Sequence, residues 1–155
     1  MPKKKKHRTK PPASLKSPRQ PGSRPVPRHE QQYGQVGDTL FDIEHAFQVL
    51  RTSRRRTVPI DVPSWARMYG MDDNPFAPMT LGPLFDRAHA MSTNLARPLI
   101  LATIATGSTR AEDTLLIIDG SHRLYRAFVE GYDQLPALVL TEAETAAITV
   151  IRPTT

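Results

Sequence analysis

Asp119-Gly120-Ser121-His122-Arg123, followed one turn later by Arg126, is the stretch of this chain whose residue types and spacing could do chemistry. An apolar run, Leu115-Leu116-Ile117-Ile118, precedes it and reads as a buried strand. Apolar residues then return at helical spacing in Leu124, Ala127 and Phe128. The reading is strand, tight glycine turn, helix, with Ser121 as the expected cap and Gly131 as the expected terminator. The start of a helix carries free N–H groups and a partial positive charge, so acidic residues belong there. This helix instead opens with His122, Arg123 and Arg126 and carries Glu130 near its end. Each misplaced exposed charge costs roughly 0.3–1 kcal/mol. A bound anion reverses that sign, because a phosphate would meet backbone N–H groups, the dipole and an arginine fork together. On the competing reading, Asp119 offsets part of the charge and the rest sits in water.

Each residue has a role in the phosphate reading. Gly120 lets the backbone approach the phosphate, and Ser121 supplies its N–H and hydroxyl. Arg123 grips oxygens as a fork, while His122 donates a bond or shuttles a proton. Arg126 reaches an outer phosphate. Asp119 is the nearest carboxylate, which orients His122 or Arg123. The candidate catalytic pair is therefore His122 and Asp119. The candidate phosphate-binding set is Gly120, Ser121, His122, Arg123 and Arg126.

The run Ile118-Asp119-Gly120-Ser121-His122-Arg123, then Ala127, Gly131 and the apolar Leu135-Pro136-Ala137-Leu138-Val139-Leu140, resembles the ParB/sulfiredoxin-like superfamily. In that family a strand ending in Asp-Gly leads into a His-Arg or Arg-Arg pair at a helix start, and a short apolar strand follows. The resemblance covers roughly residues 58–140, and its specific part is residues 118–140. It implies an α+β fold, a small mixed sheet with packed helices. It also implies nucleotide phosphates at the turn, with Gly120, His122 and Arg123 in the phosphate-binding positions. Members include CTP-binding partition proteins, ATP-using sulfiredoxins, a free-serine kinase and proteins called ParB-like nucleases. This chain departs from two of them. Sulfiredoxins carry a catalytic cysteine where Ser121 stands, and this sequence has no cysteine. Partition proteins favour arginine where His122 stands, and they continue into a helix-turn-helix that this sequence does not contain.

Composition divides the chain of 155 residues in two. Residues 1–28 hold ten Lys/Arg, seven prolines and no acid, and read as a disordered basic arm. Residues 29–155 hold eleven Lys/Arg against fifteen Asp/Glu and are mildly acidic. The arm, with Lys3, Lys4, Lys5, Lys6 and Arg8, can neutralise nucleic-acid phosphates. It has no interleaved aromatics, so such binding is expected to be non-specific and salt-sensitive. A solubilising extension is the equal alternative. The expected division is an arm and linker over residues 1–37 and one domain over residues 38–155. The absence of cysteine excludes disulfides and thiolate metal sites and fits a reducing, cytoplasmic setting. No run approaches the roughly 18 apolar residues of a membrane span, so no membrane partner is expected.

The elements that must position the turn follow in chain order. Leu40, Ile43, Phe47 and Leu50 predict a helix over residues 39–51, capped by Asp38 or Thr39. Arg54-Arg55-Arg56 then read as a basic surface turn or an extension of a phosphate surface. Val58, Ile60 and Val62 alternate around prolines and predict an edge strand. Residues 63–79 read as a proline-punctuated loop. Within it Trp65 is a core anchor or a base-stacking ring. Asp72-Asp73-Asn74 reads as a turn, with Mg²⁺ beside a nucleotide as the alternative. Leu81, Leu84, Phe85, Ala88 and Met91 predict a helix capped by Thr80, with His89 exposed off its stripe. Residues 97–104 and 114–118 predict a hairpin whose tip carries Gly107-Ser108-Thr109-Arg110. Residues 135–140 predict a strand, Thr141 to Glu144 a capping box with a helix to about 147, and residues 148–151 a last strand.

The expected function is a nucleotide-phosphate-binding protein, a phosphotransferase or nucleotide hydrolase that takes ATP or CTP, with Mg²⁺ as a possible companion. The alternatives are a non-catalytic DNA-associated protein whose basic arm holds nucleic acid, and a ParB-like nuclease. A nuclease needs carboxylates that activate water, and Asp72, Asp73 and Asp119 are the candidates. The sequence leaves the second substrate and oligomeric state open.

Overall fold

The computed structural model describes residues 33–36, 39–82, 85–105 and 113–150. Two short strands come first, β1 (Tyr33–Val36) and β2 (Thr39–Asp42), paired antiparallel with Tyr33 opposite Asp42. Helix α1 (Ile43–Thr52) follows directly. Strand β3 (Val58–Asp61) runs into helix α2 (Val62–Met68), and a single turn, α3 (Arg87–Ala90), comes after an irregular segment. The hairpin of β4 (Leu99–Ile104) and β5 (Thr114–Asp119) leads into α4 (Ser121–Val129). Strand β6 (Gln134–Val139), helix α5 (Glu142–Ile148) and the two-residue β7 (Thr149–Val150) complete the described chain.

The main sheet has the order β3-β6-β4-β5. Strand β6 lies parallel to β4 and antiparallel to β3, and β4 lies antiparallel to β5, so the sheet is mixed. A second sheet, β1-β2-β7, is antiparallel throughout. The expected α+β class with a small mixed sheet and packed helices is the one found. The basic arm with Lys3, Lys4, Lys5, Lys6 and Arg8 lies outside the described residues, as do Leu84 and the hairpin tip at residues 106–112.

Side-chain alternation along β4 explains the layers. Leu99 and Leu101 point to one face, Ile100 and Ala102 to the other, and all four are buried. Both faces of the main sheet are therefore covered, which is why β4 reads as a continuous apolar run rather than an alternating one. One face joins Ile60, Ile117, Leu135 and Ala137 to Val62 and Tyr69 around α2 and to Leu124 and Ala127 of α4. The other joins Ile100, Ala102 and Ile118 to Phe41 of β2, Ile43 and Ala46 of α1, and Leu140 and Ile148 around α5. Edge strand β5 is pinned from the first face, where the buried Ile117 N–H donates to the Tyr69 hydroxyl at 2.9 Å.

Several boundaries differ from the sequence reading. Residues 39–42 are strand rather than helix. Leu40 pairs with Val150, so its apolar side chain answers a strand register and not the stripe of α1. The cap is Asp42, whose carboxylate accepts from the His45 N–H at 3.0 Å, and not Asp38 or Thr39. Strand β1 comes from the segment read as a linker.

Residues 62–68 are helix, not loop. Asp61 caps it by accepting from the Ser64 N–H at 2.9 Å, and Pro63 sits in the first turn, where its missing N–H costs nothing. The helix expected over residues 81–91 shrinks to α3, capped by Asp86 and not by Thr80. Gly82, at φ +76°, breaks the run before it.

The C-terminal expectations held more closely. Thr141 and Glu144 form the capping box, with Thr141 N–H to Glu144 at 2.8 Å and Glu144 N–H to Thr141 Oγ1 at 3.2 Å. Glu144 also receives Arg55, whose two terminal nitrogens each donate to one carboxylate oxygen. Arg55 Nη1 further donates to the Val139 carbonyl at 2.8 Å. Arg55 is thus a clamp between the α1–β3 connection and the start of α5, while Arg54 and Arg56 are exposed. Trp65 is half-buried against the α2–α4 core and stacks on Tyr69 with ring centres 6.5 Å apart, the core-anchor reading.

Candidate functional site

The turn between β5 and α4 is built by a glycine with no substitute. Gly120 stands at φ +106°, in the left-handed region that a side chain disfavours. A Cβ there would lie 2.8 Å from Arg123 Nη2 and 2.9 Å from Leu99 Cγ. The glycine is therefore needed for the close approach of the protein's own arginine and leucine.

Gly120, not Ser121, is the N-cap residue of α4, and no side chain caps the helix. Ser121 falls one residue too late, inside the first turn, so its hydroxyl does not play the capping part. The first intrahelical bond runs from the Leu124 N–H to the Gly120 carbonyl at 3.0 Å. The N–H groups of Ser121, His122 and Arg123 precede it and are the orphan donors of a helix start.

Arg123 is buried, at 8% exposure, the one charged residue among the described residues that is. Its Nη2 donates to Asp119 at 2.9 Å and to the Pro98 carbonyl at 3.1 Å. Its Nε is fully enclosed with no partner. The expected fork is thus largely turned inward, locking the end of β5 to the start of β4. Asp119 orients Arg123, one of the two roles expected of it, and it sits opposite Ile100 in the β4–β5 register.

His122 faces the other way and is half-buried under aromatic rings. Phe85 stacks on it face to face, with centres 4.4 Å apart and planes 9° apart. His89 meets it edge-on at 5.1 Å. Phe85 also meets Tyr125 edge-on at 5.4 Å, and the Arg87 guanidinium lies 5.8 Å over the Tyr125 ring. These contacts hold α3 against the first turn of α4. Burial, and next the nearby His89, hold the His122 imidazole below its ordinary pKa, against the pull of Asp86 and Asp119. His122 is accordingly mostly neutral at pH 7, able to donate from one nitrogen and accept at the other.

A cleft of about 510 Å³ opens at this turn. Gly120, His122, Arg123 and Asp119 line it from the turn itself. Glu44 and Phe47 of α1, with His89, Thr93 and Arg97, complete the lining. Its size falls in the range of small-molecule sites, roughly 300–1,000 Å³. Arg97 is exposed and brings a cation to the helix start that the DGSHR pattern does not contain. Arg126 is not in this lining. Its Nε donates to Glu130 at 3.1 Å and its Nη1 to the Thr93 carbonyl, so it ties α4 to the segment before β4.

Sequence reasoning missed Glu44, Phe47, Thr93 and Arg97, and left His89 as a bystander. His89 and Arg97 carried a signal, since each is a basic residue off any apolar stripe, Arg97 directly before Pro98. For Glu44 and Phe47 the fold alone makes the connection. Asp72 and Asp73 lie elsewhere, as a turn: Asp72 accepts from the Asn74 N–H at 3.2 Å and pairs with Arg67 at 3.4 Å. Among the described residues no group of three or more His, Cys, Asp or Glu is placed to hold a metal ion. Nor is any helix there long and apolar enough to cross a membrane.

No family model, curated protein or solved structure matches the chain.

Proposed function

We propose that the cleft at the start of α4 binds the phosphate groups of a nucleotide. The observation that carries this reading is the uncapped first turn of α4 at a cleft lined by Arg97, His89 and His122. An anion there would accept from the orphan N–H groups of Ser121, His122 and Arg123 and lie at the positive end of the helix dipole. Arg97 would supply an exposed cation, and Arg123 would add its buried charge without leaving Asp119. The resemblance of residues 118–140 to ParB/sulfiredoxin-like turns points the same way and gives the nucleotide as the phosphate's carrier.

Phosphoryl transfer or nucleotide hydrolysis is the chemistry this site would serve. His122, neutral and hydrogen-bond competent, is the group placed to take or give a proton beside the phosphate. Asp119 acts through Arg123 and is a positioning residue. The described residues do not form a protein cage for Mg²⁺, and the reading does not depend on one.

Calorimetric titration of the full chain with ATP and with CTP, with and without Mg²⁺, tests the proposal. Saturable binding that weakens at least tenfold in both Arg97→Ala and His122→Ala is expected. Binding unchanged in both variants would place the nucleotide elsewhere.

A further inference from the structure

The cleft does not end at the helix start. A second cavity of about 350 Å³ continues from it, and the two share Glu44, Phe47, Arg97 and Asp119. The second cavity has a different character. Its apolar lining is Phe47 and Leu50 of α1, Pro98 and Ile100 at the start of β4, and Leu138 of β6, and Arg51 joins the charged residues that the two share. We propose that this compartment holds the nucleoside of the ligand whose phosphates sit at the start of α4, so that helix α1 supplies the base-binding wall. The inference rests on the phosphate reading of the adjoining cleft.

Three observations support it. First, Glu44, Phe47, Arg97 and Asp119 line both compartments, so the two adjoin within the reach of one nucleotide. Second, their chemistry divides as a nucleotide's does. The first is rimmed by histidines and an arginine, the second is lined mainly by aliphatic and aromatic groups. Third, the half-buried Phe47 lines both compartments and brings an aromatic ring to where a base would lie. Stacking of a base on an aromatic side chain contributes roughly 1–3 kcal/mol, which corresponds to about five- to 150-fold in affinity. A bare polyphosphate would fill only the polar compartment and forgo that gain.

The test compares ATP and CTP with inorganic tripolyphosphate on the full chain, by calorimetry, in wild type and in Phe47→Leu. Leucine keeps the packing of Phe47 on the Ile43 and Ile100 core while removing the ring face. In wild type the nucleotides are expected to bind at least tenfold more tightly than tripolyphosphate. Phe47→Leu should reduce that advantage to about threefold or less. A second measurement uses only wild-type protein: magnetisation transfer from base protons to the methyl groups of Leu50, Ile100 or Leu138. Equal affinity for nucleotide and tripolyphosphate would overturn the base compartment and leave the phosphate site standing. A nucleotide advantage that survives Phe47→Leu, with no transfer to these methyls, would also overturn it. No binding of either class would overturn the phosphate reading itself, and the base compartment with it.

Discussion

The backbone of Gly120 lies directly against the guanidinium of Arg123, so close that a Cβ at residue 120 would come 2.8 Å from Arg123 Nη2. The same Cβ would come 2.9 Å from Leu99 Cγ, and the residue is held at φ +106°. Glycine, arginine and leucine here form one packed unit. Gly120→Ala is expected to cost roughly 2–4 kcal/mol, from left-handed backbone strain together with overpacking. Gly131 provides the comparison. It also has a positive φ, +78°, but nothing lies within 4 Å of where its Cβ would stand. Gly131→Ala should cost about 1 kcal/mol, from backbone strain alone. Thermal or urea unfolding of the two variants separates the terms, and equal losses would show that the contact with Arg123 carries no weight.

Arg123 and Asp119 should behave as a coupled pair. Removing Arg123 leaves Asp119 and the Pro98 carbonyl without their donor, whereas removing both charged partners leaves only the carbonyl. A double-mutant cycle of Asp119→Ala and Arg123→Ala should give a coupling on the order of 1–3 kcal/mol. Arg123→Lys should not fully rescue stability, because an ammonium lacks the flat guanidinium that packs against Gly120 while its Nη2 meets both acceptors. Additive losses would contradict the role of Asp119 as the group that orients Arg123.

The depressed pKa of His122 has a signed consequence. Its folded-state value lies below the ordinary 6.5, so below pH 6.5 the unfolded chain binds the extra proton first. Stability should be full above about pH 6.5 and fall as pH drops through the lowered value. His122→Gln should flatten that part of the profile. A phosphate bound at the helix start would favour the imidazolium and move the His122 titration upward. Proton NMR titration of the ring, with and without tripolyphosphate, reads both effects. A His122 pKa at or above 6.5 in the free protein would contradict the buried, ring-stacked environment.

Glu144 gives a second window at more acidic pH. Its hydrogen bonds from Arg55, and secondarily from the capping box, hold its carboxyl down to about 2. The stability it contributes is present above about pH 4.5 and is lost as pH falls toward 2. Arg55→Ala should remove most of this window and cost about 1–2 kcal/mol at neutral pH, above the usual yield of an exposed pair because the contact is bidentate and half-buried. Acid unfolding curves of wild type and Arg55→Ala that superimpose would contradict the clamp.

The segments that were legible in the sequence are those where one local signal dominated. The apolar run to Asp119, the Asp-Gly break and the spacing of Leu124, Ala127 and Phe128 gave strand, turn and helix correctly. The Thr141 to Glu144 pattern gave its capping box. Misreadings arose where two local rules competed. Leu40 fits the spacing of α1, yet strand pairing with Val150 claims it. Pro63 resembles a breaker, yet in the first turn of α2 it is tolerated. The site was legible only on its own strand and helix. The inward contacts of Arg123 and Arg126 were not legible, because the Pro98 and Thr93 carbonyls that engage them lie 25 and 33 residues away. Glu44 and Phe47 reach the cleft only through the packing of α1 across the sheet.

The most direct test of the phosphate site is a titration of the full chain with tripolyphosphate, following backbone amide shifts by heteronuclear NMR. The account predicts saturable shifts centred on Ser121, His122 and Arg123, with Arg97 affected and Arg126 much less so. Shifts confined to the Lys/Arg-rich residues 1–28, with the first turn of α4 silent, would contradict it.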